Sequence, residues 1–196
     1  PVMDLNVAVV TGAQRIFSGI SVFSLLAIPF FILAGNIMNN GGIAERIVNV
    51  AKVVAGRMPG ALAQSNVVAN MLFGAISGSG AAAAAAMGGT IGPMEKKEGY
   101  DPVYSAGVNI ASAPTGMLIP PSNLMIVYST IAGSVSVAAL FTGGYVPGIL
   151  WGLLVMFLAG VKAKKRGYVA ERRIPAKDAM KIILDAIPSL LLILQK

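Results

Sequence analysis

The sequence predicts an all-α, polytopic membrane protein containing a hairpin that enters the bilayer without crossing it and a helix broken at membrane depth. Composition and spacing predict this. Of 196 residues, 56% are hydrophobic and only 12% charged, against about 25% charged in an ordinary soluble domain. The charges are also clustered. Between them lie three charge-free runs, Ile16–Ala44, Met58–Met94 and Pro102–Val161, each longer than the roughly 20 helical residues that cross a hydrocarbon core.

The elements follow in order. Pro1–Arg15 lacks a basic n-region with a cleavage site and reads as the interior of a longer protein, not as a signal peptide. Phe23–Met38 is the apolar heart of a first span, kinked at Pro29 and ended by Gly41–Gly42. Residues 1–41 therefore form an N-terminal region with one transmembrane helix.

Residues 42–57 differ in character. At helical spacing Glu45, Arg46, Asn49, Lys52 and Arg57 share one arc, with Ile43, Ile47, Val50 and Val54 opposite. This is an amphipathic helix suited to the membrane interface.

Residues 58–95 pose a length problem. One straight helix would be about 55 Å long, and two full spans would need about 40 residues plus a turn. The economical solution is a re-entrant hairpin, with arms over Ala61–Ile76 and Ala81–Ile91 and a turn at Ser77-Gly78-Ser79-Gly80. Irregular backbone at that depth is tolerated only where protein buries it or it lines a cavity.

Residues 96–134 hold a discontinuous transmembrane helix, with halves before Pro114 and after Pro121. The adjacent Pro120 and Pro121 remove two amide donors and break it. Residues 135–161 form a further span with Trp151, and with Tyr145 as an interfacial anchor. Residues 162–178 carry Lys162, Lys164, Lys165, Arg166, Arg172 and Arg173, a basic loop that the positive-inside rule places in the cytoplasm. Residues 179–196 begin a helix that reads as truncated, with Lys181 and Asp185 at i, i+4 spacing.

Absences narrow the chemistry. With no Cys and no His, thiolate chemistry and the commonest general base are excluded. No acid lies inside the three runs, which argues against a buried carboxylate relay. An intramembrane enzyme is left without an evident nucleophile–base pair. The net charge of +7 reflects the cytoplasmic loop; no basic, aromatic-interleaved face points to nucleic acid. Gly78-x-Gly80-x-x-Ala83 with Glu98 downstream imitates a dinucleotide fingerprint, but it lies in a charge-free run beside six alanines, not in a strand–turn–helix unit.

Two interruptions remain: the Ser77–Gly80 turn and the Pro114–Ser122 break. Broken helices free carbonyls that suit a hard cation, and expose half-helix N-termini that suit a carboxylate. Plain kinks packed by small residues are the competing reading. Asn36, Asn66, Asn70 and Asn109 read as interhelical hydrogen-bonding residues, whereas Ser122 and Asn123, beside the double proline, are candidate ligands.

Phe23–Gly35 (FSLLAIPFFILAG), Asn39–Gly42 (NNGG), Ser77–Gly80 (SGSG), Ile119–Ser122 (IPPS) and Tyr145–Gly148 (YVPG) occur in that order. Over roughly Phe23–Tyr168 the chain resembles the large membrane subunit of tripartite ATP-independent periplasmic (TRAP) transporters. The resemblance implies an elevator fold of the ion-transporter superfamily, built from two inverted repeats of which this chain covers about one. It implies a multi-pass permease of the bacterial inner membrane that imports an organic acid, of sialic acid or C4-dicarboxylate type, coupled to Na+. The implied partners are a small membrane subunit, a periplasmic substrate-binding protein and membrane lipid. It further implies a sodium site at Ser77, Gly78, Ser79, Gly80, Thr115, Gly116, Ile119 and Pro121, and substrate contacts at Ser79, Ser122 and Asn123. Another secondary transporter of that superfamily, or a non-transporting scaffold subunit, remains as the alternative.

The hairpin reading predicts that Arg57 and Lys97 lie on the same, cytoplasmic, side. In a chain without native cysteines, cysteines introduced at these two positions should react with an impermeant reagent from one face only; labelling from opposite faces would overturn the hairpin.

Overall fold

The computed structural model describes residues 4–20, 29–30, 33, 37, 41–168, 170 and 174–194. Among them it is entirely helical: α1 Leu5–Ile20, α2 Ile43–Ala55, α3 Ala61–Ser77, α4 Gly80–Lys97, α5 Pro102–Ser112, α6 Thr115–Leu118, α7 Asn123–Ala132, α8 Val137–Lys165 and α9 Ala176–Leu194. The span expected over Phe23–Met38 falls almost wholly outside the described residues. So do Asn36, Asn39 and Asn40, and Arg172 and Arg173 of the basic loop.

The hairpin is present. Arms α3 and α4 have 17 and 18 residues, about 26 Å each, shorter than the hydrocarbon thickness. The first arm stops because Gly78 turns left-handed, at φ 65°, while its N–H still donates to the Gly74 carbonyl at 2.7 Å. Only glycine adopts that conformation without strain. The return arm then starts on the Ser79 hydroxyl, which accepts from the Ala82 N–H. It runs on to Lys97, past the expected end at Ile91, because Pro93 is accommodated within the helix.

The broken helix is also present. Asp101 caps α5, accepting from the Val103 N–H, and Pro102 occupies the first turn, where no amide is needed. Pro114 ends α5, a single turn (α6) follows, and Ile119 is extended. Ser122 then caps α7. The halves are bent by 49° across the break.

Helix α8 is the one described helix long and apolar enough to cross a membrane unaided; the α5–α7 pair qualifies as a broken span. Gly144, Gly148, Gly152, Ala159 and Ala163 form the buried stripe of α8, while Leu150, Leu153, Leu154, Phe157 and Leu158 are exposed on its other faces. Polar side chains tie α8 to its neighbours. Gln64 Nε2 donates to the Met156 carbonyl, Tyr104 Oη to Ala159 and Trp151 Nε1 to Ala111, each within 2.9 Å. At the C-terminal end of α8 Tyr100 stacks on Tyr168 at 4.2 Å, the Tyr168 hydroxyl accepts from the Asp101 N–H, and Asp101 pairs with Arg166.

Helix α2 packs on α3, α4 and α9, burying Ala44, Ile47, Val48, Val50, Ala51 and Ala55. Of the apolar arc, Ile47 and Val50 are buried against the neighbouring helices, whereas Val54 is 63% exposed.

The glycine stripe yields a contrast. A Cβ at Gly144 would stand 2.4 Å from the Leu118 carbonyl oxygen, which is backbone, whereas one at Gly152 would meet the flexible Met71 thioether. Gly144→Ala should therefore lower stability by about 1–3 kcal/mol. Gly152→Ala should be near neutral, since Met71 can turn aside and alanine regains about 1 kcal/mol of helix propensity. Thermal unfolding of the two variants in nanodiscs decides between them.

Candidate functional site

The fold brings the two interruptions together, backbone to backbone. Gly74 of α3 lies against Gly116 of α6: a Cβ on Gly74 would stand 2.2 Å from the Gly116 Cα, and one on Gly116 2.7 Å from the Gly74 Cα. At the tip, a Cβ on Gly78 would come within 2.8 Å of the Pro121 carbonyl oxygen, and one on Gly80 within 2.8 Å of the Ala113 carbonyl oxygen. The Asn123 N–H donates to the Gly78 carbonyl at 3.2 Å, so the start of α7 hydrogen-bonds directly to the turn.

Of the expected sodium-site residues, Gly78, Ser79, Gly80, Gly116 and Pro121 therefore meet. Ser77 is buried, its hydroxyl donating to the Ser79 carbonyl at 3.3 Å. Thr115 is also buried, but its hydroxyl donates back to the Ser112 carbonyl at 2.6 Å, within its own strand of the break. Ile119 lies on the far side, where a Cβ on Gly148 of α8 would run into its side chain.

The three expected substrate contacts divide. Ser79 serves as the cap of α4. Ser122 spans the break, donating to the Met117 carbonyl at 2.5 Å and accepting from the Met125 N–H. Asn123 differs from both: its Oδ1 is buried with no hydrogen-bond partner and lies 3.4 Å from where a Gly78 Cβ would be. A buried carbonyl oxygen without a donor costs about 1–3 kcal/mol. The site thus offers neutral oxygens, amide and hydroxyl, around a contact too tight for side chains. That donor set fits a hard monovalent cation and no soft metal.

The asparagines of the spans do what their spacing suggests. Asn70 Nδ2 lies 2.8–2.9 Å from Asn66 Oδ1, Asn109 Oδ1 and Ser112 Oγ, and Asn109 Nδ2 donates to the Ala84 carbonyl. This network joins both hairpin arms to α5 beneath the break.

Three features were missed from sequence. Gly74 and Ala113 complete the tip contact; a lone glycine inside α3, costing about 1 kcal/mol of helix propensity, was the available signal. The α8 stripe was legible as Gly144-x3-Gly148-x3-Gly152. Glu95 is buried, at 1% exposure, which the charge-free runs did not reveal. It stands one residue past the run, in the last turns of α4, where no hydropathy pattern distinguishes it from its exposed neighbours.

A family model described as tripartite ATP-independent periplasmic transporter, DctM component, matches residues 3–195. The chain is 52% identical over 190 residues to YgiK of Salmonella typhimurium, covering 97% of this chain and 43% of that protein. It is 38% identical to SiaM, the sialic acid TRAP transporter large permease protein of Vibrio cholerae, over 91% of this chain and 42% of the relative. It is 40% identical to DctM, the C4-dicarboxylate TRAP transporter large permease protein of the same organism, over 92% and 40%. The chain spans about two fifths of the length of these relatives.

Proposed function

The chain belongs to the large permease (DctM) family of TRAP transporters, and from that membership we propose that it forms the cation-coupling half-site of a sodium-driven importer of an organic acid. The observation that carries the reading is the contact of the Ser77–Gly80 tip with the Thr115–Asn123 break, where Asn123 Oδ1 is buried without a donor. Carbonyls released by two helix interruptions cost several kcal/mol in hydrocarbon unless something satisfies them. A sodium ion held by Asn123 Oδ1, the tip carbonyls and the Ser77 or Ser79 oxygens recovers that energy and carries the coupling charge. The N-terminus of α7, with Ser122 and Asn123 at its head, supplies partial positive charge to a substrate carboxylate.

Relatives named for sialic acid and for C4-dicarboxylates support an acidic organic substrate. Delivery falls to a periplasmic binding protein, with a small membrane subunit as the static partner in the bacterial inner membrane. Movement is of elevator type: the hairpin and broken helix travel as one body because their backbones interlock, and α2 braces them at the cytoplasmic interface. In this reading the chain transports its substrate without altering it, as expected of a permease subunit and not of an enzyme.

Uptake of labelled sialic acid and of a labelled C4-dicarboxylate by proteoliposomes holding the complete transporter tests this. Uptake of one of them should require an inward sodium gradient, and Gly116→Val or Gly80→Val should abolish it. Ser79→Ala should cost about 1 kcal/mol through the lost cap, with a weaker sodium dependence only if its hydroxyl is a ligand. Both glycine variants transporting with unchanged sodium dependence would defeat the site and favour a scaffold role.

A further inference from the structure

The most unusual charged group lies away from the tip. Glu95, buried among the return arm and α5, has one carboxylate oxygen, Oε1, with no hydrogen-bond partner, and the buried Ser105 hydroxyl lies beside the carboxylate. Both line a cavity of about 280 Å³ between α4 and α5, together with Asn66 and Asn109. Glycine makes the room: a Cβ on Gly88 would stand 2.9 Å from Asn109 Nδ2. The amides of Asn66 and Asn109 are held in place, each accepting from Asn70, and each carbonyl keeps a second lone pair facing no other donor of that network.

An ionised carboxylate buried without a counter-charge costs several kcal/mol. Water could fill a cavity of this size and polarity, but water solvates the charge without neutralising it. The neighbouring Lys96 lies on the rim with an exposed side chain, and adjacent residues on a helix do not face each other. Glu98, the next acid along, adds like charge. Among the described residues that line it, the cavity therefore combines one carboxylate with hydroxyl and amide oxygens, and Lys96 on the rim is the one basic side chain.

We propose that this cavity is a cation site separate from the hairpin tip, in which Glu95, Ser105 and the Asn66 and Asn109 carbonyls bind a monovalent alkali cation. Monovalency follows from charge: the site holds a single carboxylate, and no group of three acidic, His or Cys side chains that could hold a metal ion occurs among the described residues. The oxygens are hard donors, which suit an alkali ion and not a transition metal. Unlike the tip, this site carries a full negative charge, so its affinity depends on one carboxylate that can be removed without touching the tip.

The test is equilibrium binding of radioactive sodium and, separately, radioactive rubidium as the potassium surrogate. The complete transporter is purified in N-methylglucamine chloride and assayed on the alkaline side of neutrality. Glu95→Gln should bind about one cation fewer per permease for at least one of the two ions, matching the loss of one neutralising charge. Ser105→Ala keeps the carboxylate and should retain the stoichiometry with a Kd raised several-fold. Unchanged stoichiometry for both ions in a folded Glu95→Gln protein overturns the proposal. Should that variant fail to fold, Ser105→Ala decides, and an unchanged Kd overturns it. Gly116→Val separates the two sites: if it keeps every cation while Glu95→Gln loses one, the tip reading fails and this one stands.

Discussion

Everything in this fold hangs on how closely two backbones approach at the crossing of Gly74 and Gly116. Two helices in contact normally keep their axes 8–10 Å apart because side chains separate them. Here neither residue has a Cβ, and adding one on either side would bring it within 2.7 Å of the opposing Cα. That approach lets the hairpin tip reach the break in the next element, so Gly78 touches Pro121 and Asn123. It also explains why the break occurs there. A continuous helix would fill this space with side chains and its carbonyls would be consumed internally.

The bilayer then dictates the rest. Peptide groups released by Pro114, Pro120 and Pro121 must find partners inside the protein, and the structure shows several ways of doing so. Side-chain hydroxyls cap the restarted helices at Ser79 and Ser122. Long polar side chains, Gln64, Tyr104 and Trp151, donate to carbonyls of other elements and bind α8 to the hairpin and broken helix. The glycine stripe of α8 brings it close enough to Leu118 and Ile119 to pack directly against the break. Among the described residues, buried side-chain oxygens left without a partner include Asn123 Oδ1 at the tip, Glu95 Oε1 near the end of α4, and Gln64 Oε1 and Asn70 Oδ1 within α3.

The charges are arranged by the same solvent. Cationic residues collect after α8, and Arg166 is tied to Asp101 at the head of α5 beside stacked Tyr100 and Tyr168. This cluster fixes the start of α5 and the end of α8 relative to one another and leaves the tip region to be defined by backbone contact.

By itself the sequence determined the elements. Charge-free runs are a direct consequence of the cost of carrying charge into hydrocarbon, so the hairpin, the broken helix and the last span were legible from where charges were absent. Gly78 and the prolines marked the interruptions because their backbone restrictions are local, and the ordered SGSG, IPPS and YVPG motifs pointed to the family. Tertiary structure alone decided which residues meet. Gly74, Ala113 and the α8 stripe matter through distances between segments far apart in the chain, and no local pattern encodes such a distance. The burial of Glu95 was not legible for the same reason: periodicity and hydropathy describe a residue's own helix, whereas exposure is set by the helix that packs against it.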